Sequence, residues 1–493
     1  MTRLPQPPAR ALLLALALAG CVGPDFVRPE PPAATSYQPG PLPERTAAAD
    51  AEGGGAQRLL AGAEPPAAWW ELFGSADLDL LVTRALAANP TVAAGEAALK
   101  AARAATEAQR GGWWPTLTGS FVSTRSKTSQ AVSANTTSTA PVANLHTAQL
   151  SLSYAPDVWG GVWRQVEGQA AAEEGQRFQL EAVRLTLAAD VVLAAVNEAM
   201  LRDQIAAQEE IVAIERDVLA IQRRMAGLGQ SAEADAVMQD AALAQAEAAL
   251  PPLRQQLAVQ RDALAALTGA GPDQPPAETF TLAGLHLPET VPVSLPARLV
   301  ERRPDIRQAE ATLHAATAAI GVAIADRLPL LNLTIDAGSA AALLSGKDHG
   351  YTPAKTALFT PGTGFWTLGA GLSQPLFDGF ALARRQDQAE AEAEQAAALY
   401  RATVLAALQS VADALQSLQA DADTLRAARR AEAAATDSLA IARRQLDLGA
   451  VAPLALLTAE QTALQARAAR IQAEANRLAD TARMLQALGG GWG

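Results

Sequence analysis

This sequence contains a long internal repeat, so that one structural unit occurs twice. Helical stretches opened by Pro90 and by Pro304 end at Pro115 and Pro329, so both landmarks recur after 214 positions. Further landmarks recur after 220 positions: Leu152-Ser153 as Leu372-Ser373, Gly229 as Gly449, and Gly269 as Gly489. A period this long is too large for a solenoid repeat. It indicates a duplicated half-molecule whose two copies form similar surfaces around one axis, so we expect pseudo-symmetry in whatever the chain builds.

Stretches of alternating polar and apolar residues follow each of the two helical stretches. This alternation is typical of strands with one apolar and one polar face. The stretches are 116–122 and 149–154 in the first copy, and 332–336 and 367–372 in the second. Each pair brackets a connection rich in Ser, Thr, Asn or Gly, as expected of a long loop in water. We therefore predict two β-hairpins, at about residues 116–156 and 330–376.

Long proline-free stretches, 157–250 and 376–452, surround the predicted hairpins. Their apolar residues are spaced alternately by three and four: Ile211, Ile214, Val218, Ile221, Met225 and Leu228 in the first, and Leu408, Val411, Leu415, Leu418, Ala422 and Leu425 in the second. From Leu457 to Leu485, five apolar residues stand seven apart. This sustained period predicts helices that supercoil against neighbours. One uninterrupted helix from Gly161 to Gly227 would approach ~100 Å at ~1.5 Å per residue.

The first residues have the pattern of a lipoprotein signal. Two arginines precede an apolar run at 11–18, and Leu-Ala-Gly-Cys21 follows. The apolar run is too short to span a bilayer. We therefore predict a signal peptide at residues 1–20 and a lipid such as palmitate on Cys21, which is the one cysteine of the sequence. Val22 after the cysteine favours passage to the outer membrane. The alternative is a cleaved signal followed by an incidental cysteine.

Four membrane strands in one chain constrain the assembly. A sheet in lipid must close on itself, because an open edge leaves backbone groups without hydrogen-bond partners. Four strands cannot close a barrel, whereas three chains supply about twelve strands, a number within the known range. The predicted fold is therefore mainly α with β: duplicated helix-strand-strand-helix halves in a homotrimer. Its twelve-stranded outer-membrane β-barrel would continue as a long periplasmic α-helical barrel.

Composition and motifs exclude several classes of function. The formal net charge of −12 argues against nucleic acid as a partner. The four histidines are isolated in the sequence, and no second cysteine is present for a metal site. Nucleophile elbow, Walker and Rossmann motifs are also absent from the sequence. We therefore expect no enzyme activity, no metal and no cofactor, so that any energy that the protein uses must come from a partner.

Several motifs resemble the outer-membrane factors of tripartite efflux pumps, the TolC-like proteins, in their lipoprotein (NodT) branch. The central one is the stretch 295–310, Leu-Pro-Ala-Arg-Leu-Val-Glu-Arg-Arg-Pro-Asp-Ile-Arg-Gln-Ala-Glu. Further motifs begin at Cys21, Trp69, Asp157, Pro375 and Ala487. The resemblance implies a trimeric channel with a barrel in the outer membrane and a helical barrel in the periplasm. It also implies an inner-membrane pump and a periplasmic adaptor as partners, with outer-membrane lipid around the barrel.

Two helix-to-helix turns are expected to matter for function. They comprise Gly229, Gln230 and Ser231 in the first copy, and Gly449, Ala450 and Val451 in the second. Glycine near a helix end and Ser or Pro at the next start predict tight turns on structural grounds alone. In the family that this chain resembles, such tips face the periplasm and meet the adaptor. Arg303-Pro304-Asp305 is interpreted structurally, as a helix start with a carboxylate near the positive helix end.

A periplasmic aperture is also implied by the resemblance. TolC-like channels narrow just after the second tip, commonly with a Leu, an Asp one turn later and sometimes a basic residue beyond. Alignment on Gly449 places Leu454, Thr458 and Gln461 at these positions. The carboxylate and the basic residue are thus missing from two of the three positions. Rings of Leu and Thr would close by packing and dewetting rather than by charge, which predicts a gate with low sensitivity to cations.

The predicted function is that of the outer-membrane exit duct of a tripartite efflux system. The pump would be of the proton-driven RND type, and the duct would conduct its substrates passively. Two alternatives remain: the channel of a type I protein secretion system, and a lipid-anchored coiled-coil spacer without transport. The predicted boundaries are a lipidated extended segment at 21–75, repeats at 76–270 and 303–488, a linker at 271–302, and a tail at 489–493.

Overall fold

The computed structural model describes residues 22–30, 34–49, 54–127, 142–344, 358–451 and 453–490. The predicted signal peptide and Cys21 lie outside the described residues. The helices are α1 (Ala76–Ala88), α2 (Pro90–Arg110), α3 (Gly161–Gly227), α4 (Glu233–Leu267), α5 (Pro296–Arg302), α6 (Pro304–Ala325), α7 (Ala381–Asp447) and α8 (Pro453–Ala487). The strands are β1 (Arg58–Ala61), β2 (Thr116–Lys127), β3 (Val142–Tyr154), β4 (Thr290–Val293), β5 (Leu330–Leu344) and β6 (Gly364–Ser373). Three short 3₁₀ turns, Trp69–Phe73, Gly111–Trp113 and Leu282–Gly284, complete the regular structure of the described chain.

The lengths of the elements repeat with the sequence. Helices α3 and α7 each contain 67 residues, and α4 and α8 each contain 35 residues. The predicted helix from Gly161 to Gly227 is confirmed at both ends. Among the described helices, none combines the length and the apolar character that crossing a bilayer requires.

The proline-free stretch predicted to end at Leu250 does not mark a helix end. Helix α4 continues through Pro251 and Pro252, which lie in its interior. Both prolines are exposed, as are Glu247 and Ala248, whose carbonyl groups lose their helical donors. Water can satisfy exposed carbonyl groups of this kind, so the helix tolerates the two prolines here.

Two compact units divide the chain, and each draws on both repeats. The first takes in the chain up to Val27, Ala101–Glu173 and Ala311–Ala397. The second takes in Arg28–Lys100, Glu174–Glu310 and the chain from Ala398 onward. The predicted repeats at 76–270 and 303–488 are therefore divisions of the sequence that do not coincide with the compact units. The predicted linker at 271–302 contains both β4 and α5.

The first unit contains a four-stranded antiparallel sheet in the order β2-β3-β5-β6. Its two hairpins have the same register. Leu117 of β2 lies opposite Leu152 of β3, and Leu331 of β5 lies opposite Leu372 of β6. The partners are again 214 and 220 positions apart, so the duplication extends to individual strand pairs.

In the second unit, each repeat contains an equivalent hydrogen bond from the residue before its first proline to the end of its last helix. The amide of Asn89, before Pro90, donates from Nδ2 to the carbonyl of Leu267 near the end of α4, at 2.9 Å. The guanidinium of Arg303, before Pro304, donates from Nη1 to the carbonyl of Ala487 at the end of α8, also at 2.9 Å. Both side chains satisfy a carbonyl group that lacks a helical donor. Arg303 therefore has a structural role, which is to satisfy the carbonyl group at the end of α8.

The extended segment before α1 is bound to the second unit. Strand β1 pairs in parallel with β4, with Arg58 opposite Thr290. The hydroxyl of Tyr37 donates to the carbonyl of Ser294 at 2.9 Å. Arg477 of α8 is fully buried and donates from Nη2 to the carbonyl of Gly55 at 2.7 Å and to Thr46 Oγ1 at 3.1 Å. Strand pairing and buried polar contacts therefore hold the segment in place.

The predicted apolar stripe of α7 is confirmed, because five of its six members are buried and Leu408 is half-buried. The stripe predicted on α3 is not buried within the described chain. Its members are half-exposed or exposed: Ile211, Ile214, Val218, Ile221, Met225 and Leu228. The buried stripe lies one position further on, where Val212 and Leu219 pack against Leu243 and Leu250 of α4.

Candidate functional site

The sheet of the first unit has one apolar and one polar face. The apolar face carries Leu117 and Phe121 of β2, Leu150 and Leu152 of β3, Leu331, Leu333 and Ile335 of β5, and Leu368 and Leu372 of β6. On the opposite face, Asp336 Oδ1 accepts hydrogen bonds from Ser151 Oγ at 2.6 Å and from Gln149 Nε2 at 2.8 Å. An apolar face toward lipid and a polar face toward water are what a membrane sheet around an aqueous lumen requires.

Both outer strands of this sheet have an open edge within the described chain. Strands β2 and β6 each pair on one side only. All twelve residues of β2 are exposed, so no other part of the described chain covers either face of this strand. A long open edge is a template for pairing with another strand, and in lipid it cannot stay unpaired. A sheet of this kind in lipid would need strand partners at β2 and β6 beyond those that the described residues supply.

The two predicted tips have the same backbone geometry. Gly229 and Gly449 have φ values of 71° and 70°, in the left-handed region that favours glycine. The residue after each glycine donates its amide five residues back, Gln230 to Met225 and Ala450 to Gln445, both at 2.9 Å. This pattern closes a helix C-terminus. Open space surrounds both glycines, so φ and not crowding accounts for their identity.

The three predicted aperture residues lie at the start of α8. Leu454 is in the first turn of the helix. Thr458 and Gln461 are exposed and one turn apart, so they share a face of the helix. These positions are compatible with a ring around an axis. The structure of one chain does not bring copies of them together.

A buried acidic pair beside the aperture positions was missed in the sequence. Glu460 of α8 is 8% exposed and Glu215 of α3 is 4% exposed. Both side chains line one cavity, together with Arg443 of α7. Burial, and then the charge of Glu215, raise the pKa of Glu460 to about 7, against the attraction of Arg443. The signal available in the sequence was Glu215, which occupies the buried stripe of α3 between Val212 and Leu219.

The sequence profile of the family described as "Outer membrane efflux protein" matches residues 81–270 and 295–490. The chain belongs to this family. Outer membrane efflux proteins are non-enzymatic channels, so the chain is a transport protein of the Gram-negative outer membrane that extends into the periplasm. No group of three or more potential metal ligands occurs among the described side chains.

Named relatives and a solved structure are similar over most of the chain. The pyoverdine export outer membrane protein OpmQ of Pseudomonas putida is 28% identical over 87% of this chain and 89% of its own length. The toluene efflux pump outer membrane protein TtgC of Pseudomonas putida is 28% identical over 97% and 94%. The outer-membrane channel OprN is 25% identical, with a TM-score of 0.81, covering 96% of this chain and all of that one. These likenesses confirm the predicted fold class, helices with a smaller sheet as in outer-membrane efflux channels.

Proposed function

We propose that three copies of the chain form the exit duct of a tripartite efflux pump. The observation that carries this proposal is the two-faced sheet with open edges at β2 and β6. Pairing β6 of one copy with β2 of the next, around a threefold axis, would close about twelve strands and leave no edge. The polar face with Asp336 would then line the lumen, and the apolar face would contact lipid.

The duplication predicts the register of that contact. Within the chain, Leu152 of β3 lies opposite Ile335 of β5. One repeat further on, Leu152 becomes Leu372 of β6, and Ile335 corresponds to Phe121 of β2. We therefore expect Leu372 of one copy to lie opposite Phe121 of the next. Both residues belong to the apolar face, whereas a slip by one residue would place apolar beside polar side chains.

The same register places Ala370 of one copy opposite Ser123 of the next. We expect the double variant Ala370→Cys/Ser123→Cys to form disulfide-linked dimers and trimers after mild oxidation of outer membranes. Directly opposed strand residues lie about 4.5–5.5 Å apart between Cα atoms, within the range that a disulfide spans. The products are resolved by non-reducing gel electrophoresis.

The matched control is Ala370→Cys/Phe121→Cys, which keeps both thiols on the same face but displaces one by two residues. We expect little crosslinking there, because the separation exceeds the roughly 7 Å limit for disulfides. The single variants Ala370→Cys, Ser123→Cys and Phe121→Cys serve as further controls, because any dimer that they form must involve a bond to Cys21 or between two identical positions. Strong crosslinking of the displaced pair and none of the predicted pair would refute the register. A monomer without crosslinks in either would refute the shared sheet.

The turns that join α3 to α4 and α7 to α8, and the exposed apolar stripe of α3, are proposed to contact partners. The tips at Gly229-Gln230-Ser231 and Gly449-Ala450-Val451 would dock the periplasmic adaptor, and an inner-membrane pump would supply energy and substrate. The exposed stripe from Ile211 to Leu228 would pack against a neighbouring copy, since an unpaired apolar helix face favours association. A lipid on Cys21 would add to the anchoring by the strands.

Small-molecule efflux is favoured over protein secretion by what relatives of this chain export. Their names specify pyoverdine and toluene. Such ducts pass what the pump delivers, so the residues of the lumen set a bore and a charge bias rather than a chemical preference. The test expresses this chain, together with an inner-membrane pump and a periplasmic adaptor, in a strain that lacks its own efflux duct. The readout is resistance of that strain to toxic small molecules.

Replacing Thr458 by Asp is expected to make the channel sensitive to divalent cations. Three copies of Thr458→Asp would place three carboxylates around the aperture, and such a ring binds cations. We expect periplasmic-side Mg²⁺ to reduce the single-channel current of the variant by several-fold at millimolar concentration, and to leave wild type nearly unchanged.

Thr424→Asp, at an exposed position of α7 distant in sequence from the aperture residues, serves as the control for added charge alone. A wild-type current already blocked by Mg²⁺ to the same degree would contradict an aperture closed by uncharged residues.

A further inference from the structure

The buried acidic pair links the two repeats inside the second compact unit. Glu215 lies on α3 of the first repeat and Glu460 on α8 of the second. The amide of Gln239, on α4, donates from Nε2 to Glu215 Oε2. On the other side, Arg443 Nη2 of α7 lies 3.5 Å from Glu460 Oε1. One residue from each of the four long helices thus meets at this point.

The buried oxygen Glu460 Oε2 needs a hydrogen-bond donor, and neither Glu215 nor Glu460 can supply one when both are ionised. Glu460 Oε2 is buried and accepts no hydrogen bond from the amides, hydroxyls and guanidinium groups of the described chain. Glu215 lines the same cavity as Glu460, and an ionised carboxylate cannot donate a hydrogen bond. A proton held between the two carboxyl groups would supply the missing donor. Two buried carboxylates in contact do not both ionise readily.

The charged side chains around Glu215 and Glu460 mostly form ion pairs with other residues. Arg467 of α8 pairs with Glu210 of α3 at 2.6 Å. Arg470 of α8 pairs with Glu432 of α7 at 3.2 Å and with Glu474 at 2.7 Å. On the α4 side, Asp240 pairs with Arg223 at 3.2 Å, and both are exposed. Arg443 contacts the acidic pair through Glu460 at 3.5 Å, a distance too long for a strong ion pair.

We propose that Glu215 and Glu460 share one proton that holds α8 against α3, and that its loss at rising pH loosens the junction and frees the aperture. The link to the aperture rests on the proposed channel function, because Glu460 lies between Thr458 and Gln461 on α8. Rotation of α8 away from α3 would move these two residues together with Glu460.

The direction of the pH effect follows from the pKa of Glu460. In the joined arrangement it is about 7, above the ordinary value of 4.5 that an exposed carboxyl group would recover on separation. The joined arrangement therefore binds the proton more tightly, is fully stable below the ordinary pKa, and weakens as pH rises through about 7. Each unit of pKa difference changes the equilibrium tenfold, so the full shift is on the order of a hundredfold.

The experiment follows hydrogen exchange and single-channel current of the purified, full-length protein between pH 5.5 and 8.5. At high pH we expect residues 453–465 to exchange at least tenfold faster in wild type than in Glu460→Gln at the same pH. The glutamine supplies a permanent donor to Glu215 without a titrating charge. The open probability of wild type should rise with pH, and that of Glu460→Gln should stay at its low-pH value.

Asp421→Asn is the matched control. Burial and Asp480 raise the pKa of Asp421 to about 7 as well, but this pair joins α7 to α8 within one repeat. We expect the variant to keep the wild-type pH response. Glu215→Gln repeats the test if Glu460→Gln does not fold.

The outcomes separate the two proposals. Equal exchange in wild type and Glu460→Gln, or loss of the response in Asp421→Asn, would overturn the shared-proton junction even if the protein conducts. A pH-dependent difference in exchange with no conductance would support the junction and refute the channel.

Discussion

Replacing Arg477 by alanine is expected to lower the stability of the second unit by about 3 kcal/mol or more. Arg477 is fully buried, and its Nη2 atom donates to Gly55 O and Thr46 Oγ1. Without the guanidinium, the buried Thr46 and the carbonyl of Gly55 each lose a donor, and the missing side chain leaves a cavity. The extended segment that contains β1 should detach first, because Arg477 supplies the buried polar contacts that join it to α8.

The measurements are thermal unfolding of the purified protein and limited proteolysis of residues 34–61. The control is Arg426→Ala on α7, where the guanidinium is half-exposed and pairs with Asp423 at 2.6 Å three residues away. Exposed pairs of this kind contribute less than about 1 kcal/mol. Equal unfolding temperatures for the two variants, with the segment uncut in both, would show that Arg477 does not hold the segment.

Arg303→Ala is expected to cost about 2–4 kcal/mol, since it removes several charge-assisted contacts. The guanidinium of Arg303 donates to both carboxylate oxygens of Asp305 at 2.9 and 2.7 Å, and to Ala487 O at 2.9 Å. The end of α8 should then fray, which hydrogen exchange at residues 480–488 would report. The loss follows from structure alone and should leave single-channel conductance unchanged in molecules that still fold.

Two comparisons sharpen this test. Arg303→Lys keeps the charge but cannot reach both Asp305 and Ala487, so an intermediate loss is expected. Asn89→Ala removes the equivalent contact to Leu267 in the first repeat and should fray α4 instead of α8. If Arg303→Ala changed conductance without changing the stability of α8, the residue would act in transport and the structural interpretation would be wrong.

Periodicity predicted the secondary structure well because long repeated elements carry a strong signal. The ends of α3 at Gly161 and Gly227, and both hairpins, follow from glycine positions and alternating residues. Hydrophobicity alone did not identify the stripe of α3 that packs within the chain. The stripe that packs on α4 includes Glu215 and Gln222, whose burial depends on contacts that no single sequence displays.

The functional positions were predictable to a lesser degree, because they depend on contacts distant in sequence. The tips followed from glycines that need a positive φ, which is a local property. Glu460 is separated by 245 positions from Glu215, and only the packing of α8 on α3 turns two ordinary acids into one buried pair. The fold of the 34–61 segment onto α8, through Arg477, was hidden for the same reason.

The equal lengths of α3 and α7, and of α4 and α8, limit how such a protein can change its size. A deletion of seven residues from each helix of one helical hairpin, α3–α4 or α7–α8, preserves the heptad phase but shortens that hairpin by about 10 Å at ~1.5 Å per residue. The untouched hairpin would then project beyond it, and Glu215 would no longer face Glu460. Insertions and deletions should therefore be tolerated in pairs, one in each repeat, so that the duplicated halves stay matched in length as they diverge in sequence.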